Sequence, residues 1–182
     1  MKRSRVGSGF SLIEAIVAVS IIAIIAAIII PKMIDTRSHA IVSDLRSIES
    51  IIHFLQQKAL ASHHEQELII DATAHTYSYQ GSLPAKKMVI PLSSHLSFGF
   101  LPNVKGPPAK PEKLLTAPCT FDQVPLQPGA YKIIIFSNGK VSAGTVYITD
   151  KNRFLLGALT CPISQVSWTR VYAYENGRWI NK

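Results

Sequence analysis

Gly9-Phe10-Ser11-Leu12-Ile13-Glu14, followed by an uncharged run from Ala15 to Ile30, is the stretch whose reading decides the fold. Ahead of it lie residues 1–9, MKRSRVGSG, short, basic and glycine-rich. Phe10 to Ile30 is 21 residues. A helix of that length, rising about 1.5 Å per residue, reaches about 31 Å, one hydrocarbon thickness. An ordinary secretory signal places a small-residue cleavage site after the apolar run. Ile28-Ile29-Ile30-Pro31 supplies none. A plain anchor fits the length, and the basic flank keeps the N-terminus cytoplasmic, but it leaves Glu14 unexplained. A carboxylate at the edge of hydrocarbon is costly unless paired, which marks it as functional. The alternative is an interfacial side chain snorkelling to headgroups. Pro31 either bends the helix or ends it at the membrane surface.

Beyond Pro31 the pattern turns amphipathic. Ile41, Leu45, Ile48, Ile52, Leu55 and Ala59 follow one another at steps of four and three, a single stripe on a helix that continues to about Ser62. Ser43, Asp44, Arg46, Glu49, Gln56 and Lys58 fall off it. Such a stripe packs on a sheet rather than on lipid. From Glu67 the period shortens. Strands are expected at Leu68–Ile70, Thr76–Tyr79, Met88–Ile90, Leu96–Phe100, Tyr131–Phe136, Thr145–Thr149, Phe154–Leu159, Trp168–Tyr174 and Arg178–Ile180. Asn138-Gly139 and Asn176-Gly177 mark tight turns. Pro102 to Pro118 reads as an irregular loop, extended by Pro125 and Pro128. The expected fold class is α+β, one long N-terminal helix on a mainly antiparallel sheet.

The chain has 182 residues, 47% of them hydrophobic and 16% charged, with the apolar excess concentrated near the N-terminus. Loss of Lys2, Arg3 and Arg5 with residues 1–9 lowers the formal charge from +8 to +5. That balance fits weak attraction to membranes, nucleic acid or acidic partners, or simply a solvated basic surface. Cys119 and Cys161, 42 positions apart, match no local zinc or redox spacing. In a domain outside the cytoplasm a disulfide between them is plausible; two buried thiols that never meet are the alternative. No nucleophile–base constellation or phosphate-binding loop is legible, so neither catalysis nor a cofactor is expected. His63 and His64 are adjacent and point about 100° apart on a helix, poor joint ligands. Asp71, Asp122 and Asp150 are isolated, so no metal site is expected. Trp168, Arg170, Tyr172, Tyr174, Arg178, Trp179 and Lys182 mix aromatic and basic groups, a pattern that suits stacking on nucleic acid or an amphipathic sheet edge.

The stretch from Lys2 to Met33 resembles the class III signal of type IV pilins and type II secretion pseudopilins. The resemblance implies that a prepilin peptidase cuts between Gly9 and Phe10 and that the new amine of Phe10 is N-methylated. It implies that Glu14 pairs with the Phe10 amine of a neighbouring subunit. A second resemblance rests on Phe136–Ile148 with Phe154–Leu159, and on Leu68–Tyr77, which are similar to the GspH/FimT family of minor pseudopilins and minor pilins. Together these imply four segments: a cleaved leader over 1–9, a transmembrane and filament-core helix over 10–33, its amphipathic continuation over 34–63, and a periplasmic β domain over 64–182. The implied protein is a single-pass inner-membrane subunit and not an enzyme, a minor pseudopilin of type II secretion near the tip of a short filament. Its implied partners are the peptidase, other pseudopilins, and a secretin or secreted cargo. The alternative is a minor pilin of a type IV pilus or competence system, priming assembly or binding DNA. A third reading is a plain anchored binding protein.

Overall fold

A computed structural model describes residues 11–81, 86–108, 111–163 and 167–182, with the side chains of 28–38 excepted. The expected cut at Gly9 and Phe10 lies outside the described residues, as does the basic leader. One helix, α1, runs from Leu12 to Ser62, past Pro31, so the alternative of a helix ending there does not hold. The chain divides into two units, Met1–Thr36 and Arg37–Lys182.

In the first unit, Ser11 starts α1. Its carbonyl accepts the amides of Glu14 at 3.0 Å and Ala15 at 3.2 Å. Ser11-Leu12-Ile13-Glu14 is also the Ser-x-x-Glu pattern of a capping box. An acidic residue in the first turn is favoured by the helix dipole. Sequence reading gave Glu14 a role in pairing and overlooked this local one, although the spacing from Ser11 was there to see. Among the described residues no helix is long and apolar enough to cross a membrane. Of the span expected over 10–33, Phe10 and the side chains of 28–33 are outside the described set.

The second unit is built on the amphipathic stripe. Ile41, Leu45, Ile48, Ile52, Leu55 and Ala59 are all buried, as their spacing predicts. The helix ends where His63 adopts a left-handed conformation (φ 56°) and the Ser62 hydroxyl accepts the His64 amide. Among the described residues ten strands follow: β1 Gln66–Asp71, β2 Thr76–Gln80, β3 Lys87–Pro91, β4 Leu96–Phe98, β5 Asp122–Gln123, β6 Ala130–Ile135, β7 Gly144–Asp150, β8 Leu156–Cys161, β9 Arg170–Glu175 and β10 Arg178–Asn181. They form two sheets of five, ordered β3-β2-β1-β6-β5 and β10-β9-β8-β7-β4, with every pairing antiparallel. The division into two sheets was not foreseen. Twisted open sheets of about ten strands tend to split, and here each half packs on the helix.

The register sets two faces. Val146, Leu159 and Val171 lie side by side on the face that joins the helix core. Tyr147, Ala158 and Tyr172 lie on the other, where Val104, Leu115, Phe100 and Leu101 cover them. The proline-rich segment after Pro102 is therefore a lid on β7–β9. It explains why β8 is buried on both faces. It also holds the short strand β5 near its end, which the prolines concealed. Pro91 lacks an amide donor and closes β3 at a sheet edge, where that lack is tolerated. Asn176 and Gly177 both take positive φ, the primed hairpin turn their sequence announces. Phe154, expected to open a strand, instead sits in the turn before β8. The buried Asp150 carboxylate accepts its amide and that of Leu155, at 2.7 and 2.8 Å.

At Gly157 the helix comes so near β8 that an added Cβ would sit 2.4 Å from Ile41 Cγ2 and 2.7 Å from Leu45 Cδ1. Gly157→Ala is expected to cost about 1–3 kcal/mol through overpacking. Urea unfolding of the full chain in detergent reads this as a lower midpoint with an unchanged slope. An unaltered midpoint would mean that the helix and sheet are not held this close.

Candidate assembly surface

The first unit presents its apolar side chains outward. Leu12 is 80% exposed and Ile13 72%, and Ile16, Val19, Ile22 and Ile24 are likewise exposed. Exposure of this kind along a helix demands lipid or other helices as cover. Ala15, Ala18, Ser20, Ala23, Ala26 and Ala27 recur among them, small enough to let a second helix approach. The Ser20 hydroxyl donates to the Ile16 carbonyl at 2.7 Å, which satisfies it without water. Glu14, exposed, stands in the first turn of this surface. Its expected partner, the amine of Phe10, lies outside the described residues.

In the second unit a polar network fixes α1 against the sheet of β7–β10. Glu49, only 8% exposed, accepts the Thr169 hydroxyl and the Arg46 guanidinium, each at 2.6 Å. A buried carboxylate needs such partners. Arg46 also donates to the Lys182 carbonyl. About two turns further on, the Gln56 amide donates to the carbonyls of Gly139 and Ser167 at 2.8 and 2.7 Å. These contacts join α1 to three separate loops and strand ends, and they are structural.

The expected disulfide is absent. Cys119 and Cys161 are both buried and free. Cys119 is bridged to Val146 on one flank of β7, and Cys161 pairs with Gly144 on the other. Two strand spacings of about 4.8 Å separate them, near 10 Å, whereas a disulfide needs Cα atoms within about 7 Å. Burial pushes both thiols up to about 12; the Cys119 shift is opposed by the amides of Phe121 and Thr120, and that of Cys161 is reinforced by Glu49. Thiols held protonated in this way are poor nucleophiles. Tyr147 is likewise raised to about 12, chiefly by burial.

The aromatic and basic residues near the C-terminus do not form one surface. Tyr172, Tyr174 and Trp179 pack with Tyr147 under the proline-rich lid, and the Trp179 indole donates to the Lys105 carbonyl. Trp168 stays outside with the Arg170 guanidinium 4.2 Å over its ring. Arg170 opens β9 whereas Arg178 pairs with Glu175 at its other end, about 17 Å away at strand rise. No group of three His, Cys, Asp or Glu suited to a metal occurs among the described residues. A cavity of about 170 Å³ lies between the lid and β7–β8, lined by Thr120, Thr145, Tyr147, Thr160 and Cys161. The Thr145 and Thr160 hydroxyls bond each other there at 3.3 Å, and Lys113, exposed, lies at its rim.

The two thiols and Tyr147 couple folding to alkaline pH. The unfolded chain loses their protons at the ordinary values, 9.0 for the thiols and 10.0 for Tyr147, while the folded chain holds them to about 12. Their contribution to stability is therefore complete below pH 9 and is lost as pH rises through 12. The unfolding midpoint of the full chain is expected to fall steeply between pH 9 and 11. Replacing both cysteines by Ala is expected to flatten that fall. Equal slopes in the two proteins would place the thiols in contact with solvent.

Residues 5–30 match the family profile of the Prokaryotic N-terminal methylation motif. That range takes in Gly9, Phe10, Glu14 and the apolar run to Ile30. No curated protein sequence matches the chain. Two solved structures of the minor pseudopilin EpsH from the Type 2 Secretion System of Vibrio cholerae are similar to it, each at 14% identity. One covers 70% of this chain and 92% of its own length with a TM-score of 0.45; the other covers 74% and 94% with 0.46. The chain thus carries the N-terminal signal of type IV pilin-like proteins, joined by one helix to an α+β domain.

Proposed function

We propose that this chain is a minor pseudopilin of a type II secretion system, a structural subunit that joins a short periplasmic filament near its tip. The observation that carries the reading is the methylation motif at 5–30, with Glu14 in the first turn of an outward-facing apolar helix. Cleavage between Gly9 and Phe10 by a prepilin peptidase creates an ammonium four residues from Glu14. In the inner membrane the apolar helix is covered by lipid, with the β domain on the periplasmic side. In the filament, neighbouring helices replace the lipid. The Glu14 carboxylate then meets the methylated Phe10 amine of an adjacent subunit. A charge pair in apolar surroundings is costly to misalign, because either charge left alone loses its only counter-ion. The pair therefore sets the axial register, while the small residues let the helices close up. The β domain supplies recognition of other minor subunits, the secretin or cargo.

Intact mass and terminal-peptide analysis of the chain from its native membrane should show N-methylated Phe10 as the first residue. A chain that still starts at Met1 in cells with an active peptidase would leave a plain anchor and sink the filament reading. Glu14→Ala should retain membrane association and processing, yet fall out of sheared or cross-linked filaments by an order of magnitude or more. Undiminished incorporation would show that register is set elsewhere.

A further inference from the structure

One end of the second unit gathers exposed apolar tips and cations. This is the end at which Ile41, the first core residue of α1, packs on Gly157. The turn between β7 and β8 projects there, and so does the loop before β6, because Ala130 is paired with Asp71 and the Ala72 amide donates to the Gly129 carbonyl. Phe154 in the first of these is 79% exposed and Leu126 in the second is fully exposed. A phenylalanine left this exposed at a turn gains little from folding. Lys151 and Arg153 precede Phe154 in the same turn, both exposed, and Arg178 lies at the same end, beside the Asn176-Gly177 turn.

Four carboxylates at this end are turned to internal bonds, while exposed Asp122 stands opposite Lys132 and exposed Glu112 follows Pro111 near Arg178. Asp44 accepts the Ser93 amide and hydroxyl, Asp71 the amides of Thr73 and Ala74, and Asp150 those of Phe154 and Leu155. Glu175 is ion-paired with Lys182 at 2.8 Å. Around Phe154, where Asp150 is buried and bonded, what reaches outward is therefore cationic and apolar together. That is the chemistry of a headgroup contact, with a ring entering the interface and cations meeting phosphate.

We infer that this end of the domain docks on an anionic phospholipid surface through Phe154, Leu126, Lys151 and Arg153. The inference rests on the membrane anchoring proposed above. Ile41 lies eleven positions after Ile30, and even fully extended that stretch reaches at most about 40 Å. An anchored chain cannot carry this end further than that from the bilayer. Docking would hold the unassembled subunit against the membrane, and extraction into a filament would release it.

The test uses the full chain in vesicles. Phe154→Cys carries an environment-sensitive fluorophore, and Ile163→Cys, exposed beyond the opposite end of β8, is the comparison site. The unsubstituted chain, treated identically, reports any labelling of the buried cysteines. In vesicles containing phosphatidylglycerol, nitroxide-labelled lipid should quench the label at position 154 several-fold more than at 163. The difference should disappear in phosphatidylcholine alone and on Lys151→Glu with Arg153→Glu. Equal quenching at the two positions overturns the inference. Quenching indifferent to lipid charge and to these reversals overturns the electrostatic contact. Signal that instead scales with protein-to-lipid ratio assigns the patch to a neighbouring copy. Alkaline extraction of the same vesicles separates the two readings: a chain found in the wash defeats anchoring itself, whereas a retained chain with an unquenched Phe154 site defeats only the docking.

Discussion

Ile41, Leu45, Ile48, Ile52, Leu55 and Ala59 must all leave water along one side of α1, and both sheets are arranged to receive them. Burying the stripe needs apolar surface on more than one side of the helix. Leu68, Ile70, Ile133 and Ile135 provide it from one sheet and Val146, Ile148, Leu159 and Val171 from the other. The close approach is made at Gly157, where the sheet gives up its side chain to admit Ile41 and Leu45. Gly144 does the same for the ring of Phe121, an added Cβ there falling 2.5 Å from Cδ1. Two glycines in adjacent strands thus mark where elements sink into the sheet, and the alternation of strands around them follows.

The same helix meets a different requirement before residue 37. There the described apolar side chains, from Leu12 to Ile25, are exposed all round the helix, as suits hydrocarbon or a bundle. One covalent element therefore serves two solvents. Its first part is free to exchange lipid for other helices at little cost, because both are apolar and van der Waals packing decides between them. Its second part is committed to a core and cannot be exchanged. A subunit that leaves a membrane for a filament without unfolding needs this division, and in the proposed filament Glu14 would add a directional contact that apolar packing lacks.

The helical half was legible because its periods are long and unbroken: the stripe gave α1 its end at Ser62, and the motif gave Glu14 its place. Most strands were legible for the same reason, with alternation bounded by turn residues. What stayed hidden was set by distant pairings. The split into two sheets depends on which strands meet, a property that no local period encodes. The strand β5 is two residues long and lies among prolines. Phe154 carries strong strand propensity, yet the Asp150 carboxylate claims its amide and draws it into a turn. The proline-rich segment read as an irregular loop because its composition resists regular structure. Its Val104 and Leu115, packed in one cluster with Tyr147, Tyr172 and Trp179, make it a lid.

The cysteines show why a compartment alone does not settle a bond. An oxidising periplasm favours disulfides between cysteines that can meet. Here both side chains lie on the core-facing side of one sheet, but β7 runs between them. Joining them would require β7 to leave its pairing with β8, and with it Val146 and Ile148, both fully buried. Burying such residues is worth about 1.5–3 kcal/mol apiece, so the displaced strand alone offsets what a bridge across 42 residues would contribute, about 4 kcal/mol by loop entropy. Protonated and out of reach of solvent, the two thiols serve as small apolar side chains, and the sheet that separates them removes any need for the bond.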